Sequence, residues 1–463
     1  MSLSVIIQGA SLAGLATARS LAQNKRVKVT VLEKTSSQGW KDAVRGNTGL
    51  WTDAMRVLRD QDAGSFQELL KGINCGFVQD SGYRNTNGEW LIKPLRGVSA
   101  FDSKTASLGF FSNRALLQAL SRDKNVKIAF GEGVESFSPD CSAVVTTSGK
   151  ELTADLVIAA DGSHSPLMKV VEMQRELKVE GERLVDRGYN VYRGTVCKRR
   201  AKANVSLDRL SSSFQTWGPG ARFAVVPSSD GGYSWFAAII EPSLPLGPPE
   251  QRVDGPLVNS NRAASVGEIT NLKALLSGWH SPVPELVSAS LEAAHEREGG
   301  SGGKSDKKRA KGRKTLAGPS SVALEEHVTT CRAVASKGLL PPQLLGRSLG
   351  GRGAAITAVG DAYYTFDPIL AVGGGQAIVA GELLAKCIFE HEGDLDAGLA
   401  AYQLTYNKRI STLSAISDIA QKIGSIQSPV LSAYRDVILT WLLPEAAKAR
   451  AMDVLIGITA GTK

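Results

Sequence analysis

Residues 355–376 read Ala-Ile-Thr-Ala-Val-Gly-Asp-Ala-Tyr-Tyr-Thr-Phe-Asp-Pro-Ile-Leu-Ala-Val-Gly-Gly-Gly-Gln. An apolar β-type run ends in Gly360-Asp361, Pro368 follows seven residues after that Asp, and the triple glycine 373–375 opens a long apolar helical pattern. A strand with an Asp at its carboxyl end, followed by a glycine-rich helix entry, is how α/β proteins hold a polyhydroxylated phosphate ligand. The other end of the chain carries a second signal. Strand-like Ser4–Gln8 runs into Gly9-Ala-Ser11-Leu12-Ala13-Gly14, a helical pattern over 15–22, and a second strand pattern, Val27–Glu33, with Lys34 beside it. Gly9 suits the tight turn, Ser11 is small enough for backbone approach to a pyrophosphate, and Gly14 suits close helix–strand packing. Glu33 follows Gly14 by 19 residues, near the ~20 expected of an acid that holds ribose hydroxyls. Two half-sites so far apart imply one long ligand, and flavin adenine dinucleotide (FAD) is the natural candidate.

The 463 residues are enough for two structural domains sharing an interface. The formal charge of +9 is mostly local. Between Glu296 and Lys314 eight Lys/Arg face Glu296, Glu298 and Asp306, a net +5 in one Gly/Ser-rich segment. Nucleic-acid binding is therefore not expected, and residues 292–318 read as a disordered basic insertion. Five cysteines (75, 141, 197, 331, 387) lack metal-like spacing, as do His164, His280, His295, His327 and His391; no metal site or catalytic triad is nominated. A strand starting near residue 4 and the lack of a long apolar run predict a cytoplasmic protein without signal peptide or membrane span.

Leu108–Leu120 predicts a helix whose first turn carries Arg114, placed to reach a phosphate bidentately. Arg45, in Ala43-Val-Arg45-Gly46, is a similar candidate. A second apolar strand, Asp155–Ala160, ends in Asp161-Gly162. Alternating Arg222–Pro227 and Tyr233–Ile240 flank the turn-rich Ser228–Gly232 and predict an antiparallel hairpin. The order of these motifs resembles the single-component (class A) flavoprotein monooxygenases, which resemble p-hydroxybenzoate hydroxylase. Gly188–Gly194, Ala221–Pro227 with Gly232–Ala237, and Gly278–Val287 resemble the branch containing zeaxanthin epoxidase, salicylate hydroxylase and urate hydroxylase.

That resemblance implies an α/β fold: a Rossmann-like FAD-binding domain, an antiparallel substrate sheet and a C-terminal helical region. The expected segments are 1–70, 106–180 and 319–400 for the FAD domain, 71–105 and 181–291 for the substrate domain, and 401–463 for the helices. It implies Gly9, Ser11, Leu12, Ala13 and Gly14 at the pyrophosphate, Glu33 and Lys34 at the adenosine ribose, and Arg45 and Arg114 at phosphates. Asp361, with Gly360 and Pro368, would serve the ribityl end, Gly373, Gly374 and Gly375 the flavin pyrimidine edge, and Asp161-Gly162 both FAD and NADH or NADPH. Arg222 and Tyr233 are the substrate candidates. The implied reaction uses NAD(P)H and O2 to hydroxylate or epoxidise a small aromatic or isoprenoid-type substrate through a C4a-hydroperoxyflavin. A flavin-dependent reductase and a flavoprotein without turnover are the alternatives. The protein is read as a monomer or homodimer, with a weak membrane-surface contact of the C-terminal helices as a further alternative. Three departures stand out: Tyr363-Tyr364 where the family has Ala-His, Gly373–Gly375 for Gly-Gln-Gly, and Leu167-Met-Lys169 in place of the Arg after Asp-Gly.

Overall fold

The computed structural model describes residues 2–43, 46–71, 75–78, 81–95, 107–138, 143–176, 183–208, 213–227, 232–240, 262–300, 326–346, 353–392 and 394–462. Its first layer is a parallel sheet in the order Ala355–Ala358, Leu156–Ala159, Leu3–Gln8, Val27–Glu33, Val126–Phe130. Leu156–Ala159 and Ala355–Ala358 are buried at every position. Apart from Thr357 these strands are apolar at every position, as a sheet covered on both faces requires. The first helix, Leu12–Ala22, packs on the helix Gly373–Glu390. Gly381 permits the approach, since a Cβ there would lie 2.4 Å from Thr17 Oγ1.

The second layer is an eight-stranded sheet in the order Arg262–Ala263, Val328–Ser336, Leu184–Val196, Tyr233–Ile239, Ala221–Pro227, Phe214–Gly218, Ser81–Arg84, Trp90–Leu95. It is antiparallel except where Phe214–Gly218 meets Ser81–Arg84. One face, with Tyr192, Phe223 and Trp235, packs with the helices Val266–Leu276 and Val283–Gly300 into a second core. The other face looks toward the FAD-type domain. A small sheet, Asn47–Trp51, Leu108–Ser112 and Cys75–Phe77, fills in between, with the Phe110 and Phe236 ring centroids 4.9 Å apart.

Two boundaries differ from expectation. Val328–Ser336 pairs with Leu184–Val196, so the third FAD-domain segment begins after this strand and not at 319. Residues 292–300 are helical, because Val283–Gly300 continues through them and Glu292 and Glu296 pair with Arg200. Most of the basic insertion, 301–318, lies outside the described residues.

The C-terminal helices are Leu395–Gly424, Pro429–Val437 and Glu445–Thr459. A buried carboxylate is among the contacts that tie the eight-stranded sheet to the segment after Asp361. Asp367, 4% exposed, accepts from Arg187 Nε at 2.6 Å, from the Tyr189 hydroxyl, and from Ile369 N at 3.0 Å. Arg187 also reaches Asp418 at 2.6 Å. Burial opposes the Arg187 charge, but the two carboxylates outweigh it and raise its affinity for the proton. Removing Asp367 leaves Arg187 with the exposed Asp418 as its remaining counter-charge and the Tyr189 hydroxyl without its acceptor. Asp367→Ala is expected to lower unfolding free energy by about 3 kcal/mol in urea titrations.

Candidate functional site

Between the sheets and the C-terminal helices lies a cavity of about 1310 Å³. Ligand pockets for single small molecules run to about 1,000 Å³, so this one has room for a long cofactor and a second molecule.

One end is built from the fingerprint loop. Gly9 has φ +107°, and a Cβ on it would sit 2.6 Å from the Ala160 carbonyl, so only glycine fits. Ser11 caps the first helix: its hydroxyl donates to Ala160 O at 2.9 Å and accepts from Gly14 N at 3.4 Å. Leu12 and Ala13 start that helix and line the cavity, where its positive end suits a phosphate. Glu33 and Lys34 also line it. The Glu33 carboxylate accepts from Ala10 N and Thr35 N, each at 2.9 Å, and so braces the loop while keeping lone pairs for ligand hydroxyls.

The middle of the cavity carries two carboxyls without adequate partners. Asp161 Oδ2 accepts from Leu167 N at 3.0 Å, whereas Oδ1 is buried with no partner among the described residues. Desolvation raises its proton affinity. Asp361 is pushed up to about 6 by desolvation alone. Gly162 and Gly373 border open space, since a Cβ on either meets no atom within 4 Å. An orphaned Asp161 oxygen, the Asp361 carboxyl and open backbone along the cavity are what a polyhydroxylated ligand fits. The helix Gly373–Glu390 starts there without a side-chain cap. Pro368 lines the wall before it, with Trp51 Nε1 donating to Leu370 O at 3.0 Å.

The facing wall is the eight-stranded sheet. Cross-strand register puts Val191, Ala238, Arg222 and Trp217 in one row and Arg193, Phe236, Ala224 and Gln215 in the next. All eight line the cavity. Arg222 is 5% exposed, and its Nε and Nη2 have no hydrogen-bond partner among the described residues. Its guanidinium lies 5.9 Å from the Tyr189 ring centroid, and burial lowers its proton affinity.

Several expected site residues fall elsewhere. Gly14, Gly360 and Gly375 are not in the lining. Cβ atoms on Gly14 and Gly360 would clash with Gly9 O (1.9 Å) and Ala13 Cβ (2.7 Å), while Gly375 packs on Ala54. Gly374 lines the cavity, yet its lack of a side chain also makes room for Thr48. Arg114 begins the helix Asn113–Leu120 half-buried and outside the lining; its neighbour Asn113 is in it. Arg45 lies outside the described residues. Tyr233 points to the far face of its strand, where its hydroxyl donates to Leu207 O within the second core. Tyr363 and Tyr364 turn away from the cavity to Asn407 and Ser414 of the helix Leu395–Gly424, and Lys169 is exposed on the helix Pro166–Gln174.

Sequence reasoning missed Asn47, Phe110, Tyr189 and Phe236 in the lining. For Phe236 the signal existed: strand period two puts it on the face opposite Tyr233.

The raised Asp361 carboxyl has a testable consequence. Its ordinary value is 3.8 and its folded value about 6, so between these the folded protein retains a proton that the unfolded chain releases. Ligand-free stability therefore falls as pH rises through that window, and the deficit persists above it. Asp361→Asn is expected to stabilise the ligand-free protein at pH 7.5 by about 1–3 kcal/mol. The same change should weaken FAD binding; urea melts at pH 5 and 7.5 and an FAD titration check both.

Residues 2–186 match the family model described as FAD binding domain. The chain is 26% identical over 325 residues to the aurachin C monooxygenase/isomerase of Stigmatella aurantiaca, covering 70% of this chain and 66%, just short of two-thirds, of that relative. Among solved structures it superposes on HpxO of Klebsiella pneumoniae, complexed with FAD and uric acid, with a TM-score of 0.67. That match has 18% identity and covers 98% of this chain and 97% of that one. A salicylate hydroxylase substrate complex gives a TM-score of 0.65 at 17% identity over 97% of both chains. The architecture is thus the p-hydroxybenzoate hydroxylase-like fold, with the FAD-binding-domain match over residues 2–186. Over these stretches the chain is similar to FAD-dependent monooxygenases.

Proposed function

We propose that this protein uses NAD(P)H and O2 to insert one oxygen atom into a small aromatic or isoprenoid-type molecule held beneath the substrate sheet. The observation that carries this reading is the cavity itself, which joins a dinucleotide cradle to a sheet wall bearing a buried Arg222 whose Nε and Nη2 lack hydrogen-bond partners among the described residues. When bound, FAD supplies the two-electron redox chemistry and the activation of oxygen.

The protein's part is placement and electrostatics. Gly9, Ser11, Leu12 and Ala13 receive the diphosphate at a helix start, and Glu33 the adenosine ribose. Asp361 and Asp161 accept hydroxyl hydrogens along the cavity. The Gly373 and Gly374 amides, at the positive end of their helix, favour negative charge where they meet the cavity. Arg222 orients the substrate through an anionic or accepting oxygen, and Phe236 and Phe110 form an apolar floor that excludes water.

Purified protein reconstituted with FAD is expected to consume NAD(P)H faster when a suitable phenolic, purine or isoprenoid compound is added. Label from ¹⁸O2 should enter the product. Stimulated consumption without label indicates a reductase, and no stimulation indicates a flavoprotein without turnover. Arg222→Met is expected to reduce kcat/KM by about 10–100-fold, the cost of a lost charge-assisted hydrogen bond, with flavin content unchanged.

A further inference from the structure

The cavity does not end at Arg222. Its wall passes onto the C-terminal helices, where Ile416, Ile419 and Ile423 lie at i, i+3 and i+7 on the helix Leu395–Gly424. Met452, Leu455 and Ile456 form the same kind of stripe on the helix Glu445–Thr459. Gly424 brings the first stripe against the polar anchor, since a Cβ there would lie 2.9 Å from Arg222 Cδ.

Helical stripes of this spacing normally close a core. Here Ile416 is 8% exposed, but Ile419 and Ile423 reach 52% and 42% while bordering the cavity. Asp453 is the acidic member of this stretch of wall. Leu431, Tyr434, Trp441 (80% exposed) and Leu442 (68%), on the neighbouring segment 429–442, are exposed apolar side chains as well. An apolar stripe left exposed along a cavity wall marks a ligand groove. No helix among the described residues is long and apolar enough to cross a membrane.

We propose that the substrate is amphiphilic: a ring with an anionic or accepting oxygen at Arg222, and an aliphatic or isoprenoid chain lying between the two apolar stripes. This rests on the monooxygenase reading and narrows it. A compact polar substrate would leave both stripes against water, whereas each methylene placed between them tightens binding by about three- to fourfold.

The test is calorimetric titration of FAD-loaded protein with 4-alkylphenols bearing chains of one, four and eight carbons, without NAD(P)H. Kd is expected to fall steeply with chain length. Ile419→Asp should flatten that dependence, and Ile419→Phe should reject only the longest chain. Arg222→Met should weaken the whole series while keeping its slope. Flavin absorbance separates the two levels of the argument. Protein that binds no FAD defeats the monooxygenase reading, whereas FAD-loaded protein with a flat series overturns this inference alone. A slope that survives in folded Ile419→Asp protein overturns it as well. So does a flat series together with dimerisation or lipid-vesicle binding that Trp441→Ser abolishes, which would assign the stripe to a second copy or to a membrane surface.

Discussion

The Asp367 carboxylate is the contact on which the rest of the site depends. Arg187 and Tyr189 belong to the substrate sheet, whereas Asp367 immediately precedes Pro368 and the glycine-rich entry of the FAD domain. This carboxylate, 4% exposed, is one of the contacts that hold the eight-stranded sheet against the 361–373 segment, together with the Ser336–Thr365 and Arg183–Ala362 hydrogen bonds. An Arg, a hydroxyl and a backbone amide all donate to Asp367, which offsets the cost of burying it. The same network passes through Tyr189 to Arg222, whose Nε and Nη2 lack partners among the described residues, so the protein keeps one cation under-compensated where the network ends. Such a charge is costly to bury alone, and a ligand that supplies its counterpart recovers the cost.

Glycine plays two physical roles along this cavity. Gly14, Gly360 and Gly381 are required where backbones or side chains come too close for a Cβ. Gly162 and Gly373 face open space, and there the missing side chain leaves room for a ligand instead of a neighbouring residue. The fingerprint spacing does not tell these apart, because both roles ask for the same residue type.

Tyr233 and Phe236 show how narrow the margin is on a strand. They sit three residues apart and therefore on opposite faces, one in the second core and one over the cavity. Tyr233 carries a polar group that looks functional in sequence, yet a buried main-chain carbonyl satisfies it. Tyr363 and Tyr364 likewise depart from the family pattern but pack on the long C-terminal helix, so they bear on packing there and not on the cavity wall.

Local patterns were enough to determine the dinucleotide loop, the Asp-ended strands, the glycine-rich helix entry and the antiparallel hairpin. Each is written in neighbouring residues through turn sterics, strand period and helix-start chemistry. Only the tertiary structure decided that Val328–Ser336 joins the substrate sheet, that Arg114 stays out of the cavity, and that Asp367 ties the two sheets together. The apolar walls contributed by the helices Leu395–Gly424 and Glu445–Thr459 belong to the same group. These depend on contacts between residues tens to hundreds of positions apart. Burial, cross-strand register and the unmatched donors of Arg222 exist only once those distant segments are packed against one another.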